Sequence, residues 1–319
     1  MDDTLLPFPF AAIVGQGELK TALVLGLINE RIGGVLLIGP YGVGKTLAVR
    51  SLLDLMPLIP ADDGGRDRSV RMRLVELPLN ARMEDVVGGV NERVAIEQQR
   101  VLIEDGVLAR AHRNLLYIDE VNLLDARVAD AILDAAAQGR TFVRRGAYTK
   151  LYPSQFVLVG SMNPEEGRLR PQIMDRFGLR VWVTALEDAE QRLEIVRRSR
   201  DFRTEPDAFR AQYAAESVRL NDDIAASREI LAHVTLPDAV ARFGLACIAK
   251  LAIVSHRAEI ALFEAARARA AADFRAEVTE DDVRHVAPLA FRQRTSAPLT
   301  AYAAEIATEQ AMIEAALGG

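Results

Sequence analysis

The chain has 319 residues, of which 39 are Lys or Arg and 45 are Asp or Glu, so its formal charge is −6. Half of the residues are hydrophobic, 6% are aromatic, and Gly and Pro number 21 and 13, a composition that excludes collagen-like, disordered and prion-like chains. No apolar run approaches the roughly 20 residues of a membrane-spanning helix. The N-terminal sequence has no basic region ahead of an apolar stretch, so we expect a cytoplasmic protein without a secretory signal.

Residues that bind structural metals are scarce. Cys247 is the single cysteine, which excludes an internal disulfide and a cysteine-based zinc site. The four histidines, at positions 112, 233, 256 and 285, do not have the i, i+4 spacing of ligands on one helix face. The acidic balance also argues mildly against nucleic acid as a partner, because such proteins usually present a basic surface.

Short apolar runs alternate with helical patterns in the first half of the chain. Apolar runs without polar alternation are typical of strands that are covered on both faces, so the pattern predicts an α/β fold with a five-stranded, mostly parallel sheet. The candidate strands are 35–39, 71–77, 115–119, 156–162 and 179–184, and the helices between them include 44–56 and 126–138. We expect a loop at 57–69 and a hairpin at 141–152 around Gly146.

The sequence pattern of the second half predicts helices alone. Thr184 and Glu187 have the spacing of a capping box, which predicts that a helix opens there and that no strand follows. We therefore predict an α/β domain over 1–186 and a helical lid domain over 187–319. The expected helices are 187–200, 205–231, 237–254, 257–274, 280–293 and 298–316.

A glycine-rich loop lies between the first strand and the first helix of the α/β half. Residues 39–46, GPYGVGKT, fit the pattern G-x-x-x-x-G-K-[ST]. In such a loop, backbone N–H groups and the helix N-terminus face phosphates, the lysine reaches the β- and γ-phosphates, and the hydroxyl binds magnesium. The sequence therefore predicts a nucleotide site with Lys45 and Thr46 at its centre.

Two further strands end in polar residues. The run LLYI is followed by Asp119 and Glu120, and the run FVLVGSM by Asn163. We expect Asp119 to hold Mg²⁺, Glu120 to polarise the attacking water, and Asn163 to lie between the γ-phosphate and that water. Each strand end read alone is also compatible with a solvated turn.

Basic residues follow the FVLVGSM strand and also occupy the predicted hairpin. Arg168, Arg170 and Arg176 are candidates for an arginine that stabilises transition-state charge on a neighbouring subunit's nucleotide. Alternatively they are surface residues, as we expect for Arg168. The hairpin interleaves Arg144 and Arg145 with tyrosines, a pattern compatible with a nucleic-acid or protein partner or with an ordinary exposed face.

Together these motifs resemble the ATPase subunit of magnesium chelatase, within the AAA+ superfamily. The resemblance rests on GPYGVGKT, LLYIDEVNLLD, GSMNPEEGRLRPQIMDRFGL and SHRAEIALFEAARARA, and it extends from about Phe8 to Arg294. It implies an AAA+ core followed by a helical lid. ATP and Mg²⁺ are the implied cofactors.

The resemblance also implies roles for individual residues. Asp119 with Thr46 would bind Mg²⁺, Glu120 would be catalytic, Asn163 would be the first sensor, Arg176 the arginine finger, and Arg257 the second sensor, acting on its own site or a neighbour's. The implied ATP contacts are Val14, Gly15, Tyr41, Gly42, Val43, Gly44, Lys45, Thr46 and Leu47.

The family works as a ring, commonly of six subunits, with an integrin-like-domain subunit and a large porphyrin-binding subunit. This chain differs in having a short 57–69 stretch without cysteine and no integrin-like domain after the lid, so such a module is expected on another polypeptide. The leading hypothesis is an ATPase that drives Mg²⁺ insertion into protoporphyrin IX. The alternatives are a MoxR-type remodelling chaperone, a DNA-translocating ring and a nucleotide switch that does not hydrolyse.

Overall fold

The protein is an α/β unit followed by helices, in a computed structural model that describes residues 6–60, 69–90, 103–145 and 148–295 together with positions 306, 308 and 312. The strands, numbered in chain order, are β1 (Val35–Ile38), β2 (Leu58–Pro60), β3 (Ser69–Arg71), β4 (Leu74–Leu77), β5 (Gly88–Val90), β6 (Ile103–Asp105), β7 (Leu115–Ile118), β8 (Arg140–Arg145), β9 (Tyr148–Pro153), β10 (Val157–Met162) and β11 (Leu179–Trp182).

The helices flank and follow these strands. In chain order they are α1 (Gly17–Ile28), α2 (Lys45–Ser51), α3 (Met83–Val87), α4 (Val107–Arg110), α5 (Ala126–Gln138), α6 (Pro171–Met174), α7 (Ala189–Thr204), α8 (Pro206–Leu231), α9 (Asp238–Lys250), α10 (His256–Ala272) and α11 (Glu280–Phe291). Short 3₁₀ turns occur at Phe10–Ala12, Glu30–Ile32, Leu52–Leu55, Val121–Leu123 and Pro164–Glu166.

The central sheet has five strands in the order β11-β1-β10-β7-β4, and every neighbouring pair is parallel. Its three inner strands, β1, β10 and β7, are buried on both faces. Val35 and Leu37 of β1 point into one apolar cluster with α1 and α2, while Leu36 and Ile38 point into a second cluster with α4 and α5. This two-sided burial is the physical reason why the strand sequences are continuously apolar, and it confirms the predicted fold class.

The helices after β11 pack against α1. Apolar residues of α8, α10 and α11 join the same cluster as α1. Asn29, which is 2% exposed, donates from Nδ2 to the backbone oxygen of Glu264 at 3.1 Å and to its carboxylate at 2.7 Å. Arg228 of α8 also donates to the carbonyl of Leu27 at the end of α1. Apolar and polar contacts thus attach the helical region to α1.

Several predicted bounds were wrong, for local reasons. The helix expected over 44–56 ends as an α-helix at Ser51 and continues as a 3₁₀ turn. The strand expected over 71–77 is split at Met72, whose N–H donates to the carbonyl of Pro57. β3 therefore pairs antiparallel with β2, within the stretch that we expected to be a loop, and only β4 joins the central sheet.

The capping box was also wrong. Helix α7 begins at Ala189, and its N-cap is Asp188, whose carboxylate accepts from the N–H of Gln191 at 2.7 Å. Asp188 and Gln191 have the same capping spacing four residues further on, so the first matching pattern was not the one used. After residue 186, the described part of the chain contains no strand, only an isolated bridge between Thr235 and Glu277. The helix expected over 298–316 lies outside the described residues, apart from three positions.

The hairpin at 141–152 is confirmed. β8 and β9 pair antiparallel, with Thr141 opposite Tyr152 and Phe142 opposite Leu151. Phe142 and Leu151 are exposed on one face, whereas Thr141, Val143 and Tyr152 are buried on the other. Over the described ranges, no helix combines the length and apolarity that a membrane span requires. The domain boundary at 186 stays a prediction.

Candidate active site

The glycine-rich loop joins the end of β1 to the start of α2. Gly42 and Gly44 adopt left-handed backbone conformations, with φ of 75° and 89°, which L-residues with a side chain rarely adopt. A Cβ atom at either position would meet no atom within 4 Å. Backbone conformation, and not lack of space, is therefore what requires glycine here.

Lys45, the first residue of α2, is 5% exposed. Its Nζ donates to the carbonyl oxygens of Gly39 at 2.6 Å and Pro40 at 2.9 Å, so the ammonium group lies against the loop itself. Burial lowers the pKa of Lys45, and the carboxylates of Glu120 and Asp119 oppose that shift. The ammonium group is therefore desolvated before any anion arrives, which strengthens its attraction to a phosphate.

Asp119 follows β7 and lies beside Thr46. Its Oδ2 accepts from the hydroxyl of Thr46 at 3.2 Å, and its Oδ1 accepts from Tyr117 at 2.8 Å and from Ser161 at 2.5 Å. Tyr117 is 1% exposed, and burial raises the pKa of its phenol. Two buried hydroxyls, on β7 and β10, thus fix the direction in which the Asp119 carboxylate points.

This donor set suits magnesium. A carboxylate and a hydroxyl supply hard oxygen ligands, and Mg²⁺ is usually bound by one or two such protein ligands together with phosphates and water. Thr46 and Asp119 are the residues that could hold the ion.

Glu120 is next to Asp119 but points differently. Its backbone is left-handed, with φ of 52°, which is uncommon for a residue with a side chain. Its N–H donates to Ser161 Oγ at 3.0 Å, and its Oε2 accepts from the N–H of Asn163 at 2.9 Å. Burial raises the pKa of Glu120, partly offset by the Asn163 N–H and by Lys45. A carboxylate with a raised pKa, fixed at a strand end, has the properties of a general base.

Asn163 is fully buried at the end of β10. Its Oδ1 accepts from the N–H of Glu165 at 3.1 Å and so caps the 3₁₀ turn Pro164–Glu166. Its Nδ2 donates to the Glu165 carboxylate at 3.4 Å. The backbone of Asn163 contacts Glu120, while its side chain is bonded within its own turn, so its role as a sensor stays a prediction.

An apolar cavity of about 390 Å³ adjoins the glycine-rich loop. Val14, Val43 and Leu47, three of the expected ATP contacts, line it. Gly15 has φ of 60°, and a Cβ there would lie 2.9 Å from Leu186. The size and apolar lining suit a planar base.

The residues of the other wall of this cavity were not predicted from the sequence. Phe8, Ile195 and Phe202 also line it, the last two from α7. Phe8 and Phe202 pack edge to face, with ring centroids 5.2 Å apart. No motif marks these residues, since α7 approaches the loop only through tertiary packing.

The implied arginine finger and second sensor line a second cavity. Arg176 and Arg257 both line this cavity of about 1000 Å³, which lies at the carboxyl ends of β1, β10 and β11 and shares no lining residue with the apolar cavity. Arg176 is paired with Asp134 of α5, and Arg257 lies 3.4 Å from the carboxylate of Asp175. The structure thus brings Lys45, Thr46, Asp119, Glu120 and Asn163 together. It places the two arginines in a cavity whose lining also includes Met162 and Pro164, on either side of Asn163.

Comparisons with known proteins show the family to which the chain belongs. A family profile described as AAA domain (dynein-related subfamily) matches residues 34–177, and one described as AAA lid domain matches residues 246–316. The chain is 40% identical, over 310 residues, to a magnesium-chelatase subunit ChlI homolog of Methanocaldococcus jannaschii, which covers 90% of this chain and 85% of that protein.

A second relative is similar over most of its length. The magnesium-chelatase 38 kDa subunit of Cereibacter sphaeroides is 40% identical over 307 residues, with 90% of this chain and 92% of that protein covered. The chain belongs to the family of magnesium-chelatase ATPase subunits. As a member of this AAA+ family it is an ATP hydrolase.

A solved structure supports the family fold. A structure of the complex between subunits BchI and BchD of magnesium chelatase, based on a cryo-EM reconstruction, contains a chain that superposes with a TM-score of 0.52 and 37% identity. The match covers 90% of this chain and 96% of that one. The AAA+ core and helical lid implied by the sequence are therefore confirmed.

Proposed function

We propose that this protein is the ATPase motor of a magnesium chelatase. Rings of the chain, with six subunits as the expected number, hydrolyse ATP and drive insertion of Mg²⁺ into protoporphyrin IX. Their partners are an integrin-like-domain subunit and a large porphyrin-binding subunit. Identity of about 40% over 90% of the chain to magnesium-chelatase subunits supports this client.

In this proposal each side chain of the nucleotide site has its own role. The adenine base occupies the apolar cavity beside Val14 and Leu47, and the phosphates lie along residues 39–46, where the loop amides and Lys45 neutralise them. Thr46 and Asp119 hold the cofactor Mg²⁺, which when bound neutralises charge on the phosphate oxygens. Glu120 accepts a proton from the attacking water.

The partners of the two arginines are the observation that supports the ring. Arg176 is bonded to Asp134 and Arg257 to Asp175, and among the described residues neither makes a hydrogen bond to Lys45, Thr46 or Glu120. An arginine that stabilises charge on the γ-phosphate must approach it. We infer that Arg176 and Arg257 act on the nucleotide of a neighbouring subunit, and that each site is completed at a subunit interface.

Mixed assemblies test this action in trans. Arg176→Ala subunits keep their own glycine-rich loop, and Lys45→Ala subunits keep their own arginines. Each variant alone is expected to lose hydrolysis, while a mixture recovers part of the activity at those interfaces where both intact halves meet. Absence of any recovery contradicts action in trans. The double variant Lys45→Ala/Arg176→Ala is the matched control, and it should not rescue Arg176→Ala subunits.

The client is tested by isolating the chain with ATP from its native source. A captured assembly that contains an integrin-like-domain subunit and a large porphyrin-binding subunit, and that forms magnesium protoporphyrin, supports the proposal. Capture of an integrin-like-domain protein without a porphyrin-binding subunit would instead support the remodelling chaperone.

A further inference from the structure

One buried guanidinium group holds the loop that carries Arg176. Arg294 follows α11, and its side chain is 1% exposed. Its Nη2 donates to the carbonyl oxygens of Phe177 at 2.8 Å and Gly178 at 3.2 Å. Its Nη1 donates to Asp175 Oδ1 at 2.6 Å and to the carbonyl of Asp175 at 3.4 Å, and its Nε donates to Ala290 at 2.7 Å. Arg294 thus binds the backbone on both sides of Arg176.

The attachment is reciprocal. Arg180, on β11, donates to the carbonyls of Arg292 at 2.9 Å and Gln293 at 2.7 Å, and also to the carbonyl of Met174 at 2.8 Å. The end of α11 and the segment that leads from α6 to β11 therefore satisfy each other's carbonyl groups. Because buried carbonyls left without donors are costly, neither segment can shift alone without losing several bonds.

Arg176 itself is held differently. Its side chain is about one quarter exposed and is bonded to Asp134, so it can reorient toward another group without breaking a buried network. What is fixed is its backbone. From this geometry we propose that Arg294 is a positioning residue for Arg176. It holds the backbone of Arg176 where the side chain can reach the nucleotide of the neighbouring subunit. This inference rests on the proposed action of Arg176 in trans.

The same network extends to the second candidate arginine. Asp175 accepts from Arg294, from Ser255 Oγ at 2.9 Å and from Arg257 at 3.4 Å. One carboxylate beside Arg176 is thus shared by three residues of the helical region. A movement of the helical region would therefore carry the Arg176 loop and Arg257 together.

Position 294 requires arginine because this side chain has five N–H donors. The planar guanidinium group matches five acceptors that lie around it, whereas an ammonium group has three donors and a different shape. Arg294→Lys keeps the charge and removes this fork. The matched control is Arg284→Lys, an exposed position on α11 that pairs with Glu280.

The experiment measures hydrolysis by Arg294→Lys subunits alone and in mixtures. Alone, we expect turnover to fall about 10- to 100-fold, as for a misplaced catalytic group, while the Kd for ATP stays within about twofold of the unmodified chain. Mixing with Lys45→Ala subunits, which carry a correctly held Arg176, should recover activity. The double variant Lys45→Ala/Arg294→Lys should fail to rescue Arg176→Ala subunits, because its Arg176 is misplaced.

Three results overturn the inference. Unchanged turnover in Arg294→Lys shows that the loop does not need this residue. In the second result, Arg294→Lys loses turnover and does not recover in the mixture, although Arg176→Ala does recover. This result shows that Arg294 supports the whole fold and not the position of Arg176, and a variant that fails to fold gives it. If Arg176→Ala itself does not recover, the proposed action in trans fails first, and the positioning role fails with it.

Discussion

Replacing Glu120 with glutamine tests the assignment of the general base with almost no change in shape. The Oε2 atom of Glu120 accepts from the N–H of Asn163 at 2.9 Å, and the carbonyl oxygen of a glutamine can accept the same bond. The backbone bond to Ser161 is unaffected, since it uses the N–H of residue 120. Glu120→Gln therefore removes proton-accepting ability and leaves the position of the side chain in place.

The size of the effect follows from that single loss. General-base catalysis contributes about 10²- to 10⁴-fold, which corresponds to about 2.7–5.4 kcal/mol in activation free energy at 1.36 kcal/mol for each factor of ten. Turnover should fall by that factor, while the Kd for ATP changes little because Glu120 makes no hydrogen bond to Lys45 or Thr46 in the structure. Burial raises the pKa of Glu120, so turnover of the unmodified enzyme should fall as the pH drops through that raised value and the base becomes protonated.

The assay is steady-state ATP hydrolysis over a range of pH, with ATP binding measured by calorimetry on the same preparations. The acid limb of the pH profile should disappear in Glu120→Gln. A variant that hydrolyses ATP at the unmodified rate would refute the reasoning. A variant whose affinity falls in parallel with its rate would show that residue 120 acts in binding.

Three further outcomes are expected. Lys45→Ala should weaken ATP binding itself in calorimetry, and an unchanged dissociation constant would contradict the placement of the phosphates. Tyr117→Phe removes a 2.8 Å hydrogen bond to Asp119 that is worth about 1.5–3 kcal/mol as a bond to a charged group. The variant should need a higher Mg²⁺ concentration for half-maximal hydrolysis, while its ATP binding in the presence of a chelator is unaltered. An unchanged Mg²⁺ requirement would contradict the role of Tyr117 in orienting Asp119. Asp282→Asn should lower the melting temperature at neutral pH. Burial alone would raise the pKa of Asp282, but its interactions with Arg275 and Thr279 together outweigh that effect and lower it. The stability from Asp282 is present above the unfolded pKa and is lost as the pH falls through the folded one, so a difference between the two proteins that persisted in strong acid would contradict this reading.

The meeting of the glycine-rich loop with the strand-end residues was largely predictable from the sequence because its parts are local. Residues 39–46 connect a strand directly to a helix, and Asp119, Glu120 and Asn163 each follow an apolar strand. The carboxyl ends of parallel strands meet at one edge of a sheet, so a reading of the strands also places their terminal residues together. The cap predicted at Thr184 was wrong because the structure uses Asp188 as the N-cap.

Sequence alone thus determined the sheet, the glycine-rich loop and the residues at the strand ends, since each depends on neighbours in the chain or on the simple rule of strand burial. Tertiary structure decided the rest. Three features join segments that are more than 80 residues apart in the chain. They are the aromatic wall of α7, the cavity shared by Arg176 and Arg257, and the hydrogen bonds from Arg294 to residues 175–178. Such contacts depend on how whole helices pack, and no local pattern of residue types encodes that packing.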